Sequence, residues 1–229
     1  PLEQRTETIK VAGGDDIELT IRSTVHGPII SGLTDDFTAI ADDPEPGLAA
    51  GGASGAAPGA AASDDGSEYA VSLRWTALDP GTAATAIFAL STAQDFDEFR
   101  YAASLFDVPA QNLIYADIEG NIGYQTPGRL PIRGAGDGWL PQPGWDSAYD
   151  WTGYIPFEDL PVSLNPASGY IVTANNAIVT DDYEYFLSRD WDQGYRAGRI
   201  AYMLERRAAA APLTAQDMRD IQLDNEMWI

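Results

Sequence analysis

Two pairs of short alternating segments, each closed by a tight polar turn, constrain the fold of this chain more than any other feature. Residues 6–11 and Ile17–Thr24 alternate apolar and polar side chains around Gly13-Gly14-Asp15-Asp16. Residues 113–117 and 122–126 do the same around Ile118-Glu119-Gly120-Asn121. A period of two puts one side of each segment on a core, and Gly, Asp and Asn give the turns their backbone freedom and local hydrogen bonds. Both pairs therefore predict β-hairpins. Residues 69–75 alternate as well and predict a further strand, and so does the β-branched run 170–174.

Elsewhere the period becomes helical. Thr92 is the expected cap of a helix over residues 95–106, with Phe96, Phe99, Ala103 and Phe106 on one face and Pro109 as its stop. Residues 196–210 predict a helix with Ala197, Ile200, Ala201, Leu204 and Ala208 inward, broken by Pro212. Thr214 with Asp217 three residues on predicts a capped last helix. Strands first, with helices between and after, define an α+β protein. Residues 127–167, rich in Pro, Gly and Trp, predict an ordered loop anchored by Trp139, Trp145, Trp151 and Phe157.

Composition collapses over residues 31–67, where Ala and Gly dominate and paired acids flank the middle. Too little apolar surface is available there to offset ordering entropy, so a flexible surface insertion is expected rather than a domain boundary. Both ends of the chain read as cut: Pro1 replaces an initiator Met, and residues 225–229 still look helical. A segment of a longer protein is therefore expected, with any signal peptide upstream.

Charge and residue inventory narrow the function. Thirteen basic against thirty-five acidic residues give a net charge of −22. That excess opposes binding to nucleic acid and to anionic membrane, both of which need clustered Lys and Arg. No Cys is present, which removes thiolate metal sites and Cys catalysis, and one His, His26, leaves no multi-His metal site. His26 precedes Gly27-Pro28 and is expected to be a structural turn residue rather than a base.

The candidate chemistry lies at Asn175-Asn176, two side-chain amides directly after an apolar run. An Asn at the end of a rigid strand can donate to a developing oxyanion; taken alone, such a pair is more often a capped strand end than a catalytic amide. Trp139, Trp145 and Trp151 are candidates for an acyl-binding wall, although packing of a long loop explains them too. Asp181-Asp182 is expected to be a solvated loop.

Several segments together resemble the penicillin acylase family. They are residues 24–28; Tyr115-Ala116-Asp117 with 120–124; residues 128–131; Pro141 to Trp145; Trp151-Thr152-Gly153; Asn165-Pro166 with Gly169-Tyr170-Ile171; Ala174-Asn175-Asn176; and Gly194-Tyr195-Arg196-Ala197. The resemblance implies a single segment, residues 1–229, of an N-terminal-nucleophile hydrolase domain with layered αββα architecture and antiparallel sheets. It implies hydrolysis of an N-acyl amide by a self-cleaved precursor, with an N-terminal Ser as nucleophile and its own α-amine as base. Asn175 matches the family's oxyanion donor and Arg196 the Arg that organises the site. No Ser here matches the nucleophile, which is expected upstream, so this segment is expected to be inert alone. The remainder of the precursor is its expected partner, and a periplasmic or secreted location is implied. No cofactor is expected for the chemistry; a structural calcium is a family feature, but Phe186 or Leu187 stands near the place of the downstream acid, with Asp181 and Asp182 displaced. The rival readings are a non-catalytic acidic β-rich module binding calcium or carbohydrate, and a glycosidase, for which no acid pair has the required spacing.

Overall fold

The computed structural model describes residues 2–42 and 69–226. They fall in two compact units, Pro1–Pro80 with Arg133–Gly153, and Gly81–Ile132 with Tyr154–Ile229. Among the described residues, five α-helices and small antiparallel sheets make up the α+β class that the sequence periods predict.

In the first unit β1 (Glu3–Ile9) pairs antiparallel with β2 (Ile17–Thr24), Glu3 opposite Ser23 and Ile9 opposite Ile17. The first strand begins and ends earlier than its alternation suggests. Every β1 residue is exposed, and β2 is half-buried only from Ile21 to Thr24. β3 (Gly27–Pro28) adds only two residues to β2. The strand expected over 69–75 is reduced to an isolated Ile29–Ser72 bridge. Leu73 N–H donates to Pro28 O at 2.9 Å, but Pro28 has no N–H to return, which stops the ladder. The composition collapse at residue 31 also misleads: Ser31–Leu33 form a 3-10 turn and α1 (Asp35–Asp42) follows, opened by two acids that suit a helix N-terminus. The rest of the expected insertion, residues 43–67, lies outside the described residues.

The second unit opens with α2 (Ala83–Leu90), whose residues AATAIFAL are apolar almost all round. Such a stretch has no face to find by periodicity, and the sequence did not reveal it. α3 (Phe96–Ser104) is capped by Asp95, whose side chain accepts from Glu98 N–H at 2.8 Å. Thr92, the expected cap, instead donates its hydroxyl to Ala89 O at 3.0 Å. Phe96 and Phe99 stack at 5.8 Å and meet the Tyr115 ring at 5.4 and 5.3 Å, so the predicted aromatic stripe is core.

Tyr115 lies on β4 (Leu113–Ala116), which pairs with β5 (Ile122–Gln125), and β5 with β8 (Val162–Leu164), all antiparallel. Residues 127–167 are thus not mere loop: β8, β6 (Pro131–Arg133) and β7 (Trp151–Tyr154) lie within them. Trp139 and Trp145 are not buried anchors; they remain 55% and 52% exposed.

α4 (Tyr195–Ala208) and α5 (Ala215–Gln222) complete the unit. The predicted capping box of Thr214 and Asp217 is present in both directions. α5 stops at Gln222, so the helix expected to run on at 225 is absent as far as 226; residues 227–229 lie outside the described residues. Met203 and Leu204 of α4 and Ile221 of α5 form a buried cluster, with Tyr170, Val172 and Ile200 packed on it. Burying each such side chain is worth about 1.5–3 kcal/mol. Met203 turns inward unforeseen, and Ala208, expected inward, is exposed.

Candidate functional site

Residues 170–174 form no strand ladder among the described residues, contrary to the expectation from their β-branched run. Packing holds them instead: Tyr170 and Val172 lie on the α4–α5 cluster and Ala174 is buried. The chain then emerges at Asn175, which is exposed and takes φ +61°. An L residue seldom adopts this left-handed conformation, and Asn tolerates it better than most because its short polar side chain is stabilised locally. Only Asn165 shares a positive φ among the described non-glycine residues.

The two amides divide. Asn176 Oδ1 accepts from Ala174 N–H at 3.1 Å and its Nδ2 donates to Ala177 O at 3.0 Å, so its amide is spent on local backbone. Asn175 Oδ1 accepts from Arg196 Nη2 at 2.9 Å. Arg has five donors and no acceptor, so it can face only the oxygen of the amide. That contact fixes the orientation, with Nδ2 on the far side. None of the described residues accepts from that nitrogen.

Arg196 stands in the first turn of α4. Gly194, at φ +85°, turns the chain into the helix, a conformation that glycine adopts without strain. Asp192 completes the group. Its N–H donates to Asn175 O at 2.8 Å, and a parallel bridge joins it to Asn176. Its Oδ2 accepts from Arg196 Nη2 at 3.0 Å and Nε at 3.3 Å, and its Oδ1 from Gly194 N–H at 3.1 Å. The Arg196 contact, then the Gly194 N–H, holds the Asp192 carboxyl below the usual carboxylate range. The structure therefore joins the two predicted residues, twenty-one positions apart, in one hydrogen-bonded unit with a third. Sequence reasoning missed Asp192; its signal was the acid four residues before Arg196, a spacing that pairs charges at a helix start.

The other candidates fall elsewhere. His26 belongs to the first unit and is a turn residue: its N–H donates to Thr24 Oγ1 at 3.1 Å and its Nε2 to Asp150 Oδ1 at 2.8 Å. Trp139, Trp145 and Trp151 belong to that unit as well; Trp145 packs on Tyr69 and Trp151 lies under Arg74. Asp182 accepts from the Thr180 hydroxyl, which holds its carboxyl below the usual range. It borders an open cleft of about 390 Å³ that includes Asp159, Tyr183 and Tyr185. Tyr185 donates to Asp159 Oδ2 at 2.8 Å, and that bond pushes its phenol up to about 12. Among the described residues no group of three or more His, Asp or Glu is placed to hold a metal ion. Asp181 and Asp182 alone do not form a calcium cage.

The second unit thus sets a hydrogen-bonded Asn175–Asp192–Arg196 group at a loop–helix junction of an α+β fold, and comparison with known proteins gives the family. The sequence matches the penicillin amidase family over residues 1–228, and the chain belongs to that family. Penicillin acylase 2 proenzyme of Pseudomonas sp. (strain SE83) is 34% identical over 98% of this chain and 25% of its own length. Acyl-homoserine lactone acylase QuiP of Pseudomonas fluorescens is 32% identical over 88% of this chain and 21% of its own. Penicillin G acylase of Escherichia coli is 32% identical over 95% and 22%. The chain thus spans about a quarter or less of these relatives. Among solved structures, a thermostable penicillin G acylase from Alcaligenes faecalis superposes with a TM-score of 0.64 at 28% identity, over 96% of this chain and 34% of that one. The fold is that of part of an N-terminal-nucleophile hydrolase.

Proposed function

We propose that this chain is part of an amidohydrolase that cleaves the amide bond of an N-acyl substrate through an acyl-enzyme. The observation that carries the proposal is the 2.9 Å bond from Arg196 Nη2 to Asn175 Oδ1, which turns the Asn175 Nδ2 hydrogens outward. A nucleophile attacking an amide carbonyl puts negative charge on its oxygen. An amide N–H already aimed at that oxygen stabilises the transition state more than the ground state, by about 3 kcal/mol in comparable sites. Arg196 keeps the amide from rotating and adds positive charge nearby.

The nucleophile in this reading is an N-terminal Ser supplied by another part of the precursor, with its own α-amine as base. Collapse of the tetrahedral intermediate expels the amine and leaves an ester on Ser, and water then releases the acid. The substrate is a small N-acyl compound: relatives are named for penicillin and for acyl-homoserine lactones, and both of these compounds carry an exocyclic N-acyl amide. The remaining precursor is the partner, and the location is periplasmic or secreted. No cofactor takes part in the steps assigned to these residues. Family membership favours this reading over an acidic binding module or a glycosidase.

The test is to express the full-length precursor and follow amine release from N-acyl substrates, with Asn175→Ala beside it. Turnover falling roughly 10²–10³-fold in the variant supports the assignment. Unchanged turnover removes Asn175 from the mechanism, and absence of amine release by the wild type rejects the activity.

A further inference from the structure

We propose that Asp192 is a positioning residue of this site, holding Arg196 so that the Asn175 amide presents N–H rather than C=O to the substrate. The proposal rests on the oxyanion role given to Asn175 above.

One residue governs both ends of the Asn175–Arg196 contact. The Asp192 N–H holds the Asn175 backbone at 2.8 Å, while its Oδ2 holds the Arg196 guanidinium through Nη2 and Nε at 3.0 and 3.3 Å. Its Oδ1 is tied to Gly194 N–H at 3.1 Å, at the turn where α4 begins. The carboxylate is therefore fixed to the backbone before it fixes the Arg.

The Arg needs this. Its side chain is 59% exposed, on a long flexible stem, and water competes for all five donors. The same nitrogen, Nη2, bonds both Asp192 and Asn175, so the carboxylate decides where the donor to Asn175 stands. Without it the guanidinium gains rotamers, and the Asn175 amide can rotate and turn its oxygen toward the reacting carbonyl. An acceptor facing a developing oxyanion repels it. A misplacement of this kind, small in distance, is costly in rate because catalysis depends on preorganised donors.

The side chain and backbone of Asp192 can be separated by mutation. Asp192→Ala keeps the N–H bond to Asn175 and removes only the carboxylate. Asp192→Asn keeps an acceptor for Gly194 and removes the charge. The experiment is a double-mutant cycle in the full-length precursor: wild type, Asp192→Ala, Asn175→Ala and both together, with maturation followed on gels and kcat and KM measured on one N-acyl substrate. The expected result is a loss of roughly 10-fold or more in kcat for Asp192→Ala, with KM changed less than about 2-fold. In the Asn175→Ala background the same change is expected to cost less than about 2-fold, because the group it positions is gone.

A full loss that repeats in the Asn175→Ala background overturns the proposal and leaves Asn175 in place. So does a change confined to KM. If Asn175→Ala alone leaves kcat intact, the oxyanion assignment itself fails, and this proposal with it. Should Asp192→Ala fail to mature, the cycle is run with Asp192→Asn, for which the same coupling is expected and the same additivity would overturn the idea.

Discussion

Asn175 carries two properties at once, a left-handed backbone and an aimed amide, and replacing it by Gly and by Ala separates them. At φ +61° a side chain with a Cβ and no compensating hydrogen bond costs about 1–2 kcal/mol, while glycine adopts the conformation freely. Glycine carries its own penalty of about 0.5–1 kcal/mol through the entropy of the unfolded chain. Asn175→Ala is therefore expected to be less stable than Asn175→Gly by on the order of 1 kcal/mol, read as a lower unfolding midpoint in the full-length protein. Activity follows the other property. Both variants lack the amide that Arg196 orients through Oδ1, so both are expected to lose roughly 10²–10³ in kcat and to the same extent. A Gly variant near wild-type turnover beside an inactive Ala variant would falsify this account, because it would make backbone shape, not the amide, the reason for Asn175.

Two further predictions concern the frame. Gly123→Ala on β5 would bring a Cβ to 2.4 Å from the Phe96 ring, so it is expected to destabilise by about 1–3 kcal/mol through overpacking of the Phe96–Phe99–Tyr115 cluster; Phe96→Leu in the same chain should recover part of that loss in denaturant unfolding. Asp117 is held at about 2, below its ordinary 3.8, first by the Asn121 side-chain amide. A depressed folded value contributes stability above the ordinary value that is lost as pH falls through about 2, so an Asp117→Asn variant is expected to differ from wild type at pH 5 and to converge with it between pH 4 and 2, measured by acid unfolding.

Much of the fold was legible where local chemistry decides it. The Gly13–Asp16 and Ile118–Asn121 turns, the Thr214 capping box and the inward face of α4 at Ile200 and Leu204 follow from turn, cap and period rules alone. The misses have physical causes. α2 is apolar almost all round, so no period marks it. Residues 69–75 alternate and residues 170–174 are a β-branched run, but neither meets a continuous ladder among the described residues, because both patterns report burial, not pairing. At the site, the Asn175-Asn176 pair stands out by its place after an apolar run, but resemblance was needed to choose Asn175 from the pair and to find Arg196, which neither residue type nor spacing singles out. Asp192 was missed because its importance comes from contacts made at once by backbone and carboxylate, and only the folded chain brings Asn175 O, Gly194 N–H and Arg196 to it.

The central claim is that Asn175 offers a pre-aimed N–H to an oxyanion. The most direct measurement is a crystal structure of the full-length mature protein with a tetrahedral boronate or phosphonate mimic of an N-acyl substrate bound. The account predicts Asn175 Nδ2 at about 2.7–3.1 Å from the oxygen that stands for the oxyanion, with Oδ1 still on Arg196. A mimic whose oxygen lies roughly 4 Å or more from Nδ2, or that meets Oδ1 instead, would contradict it.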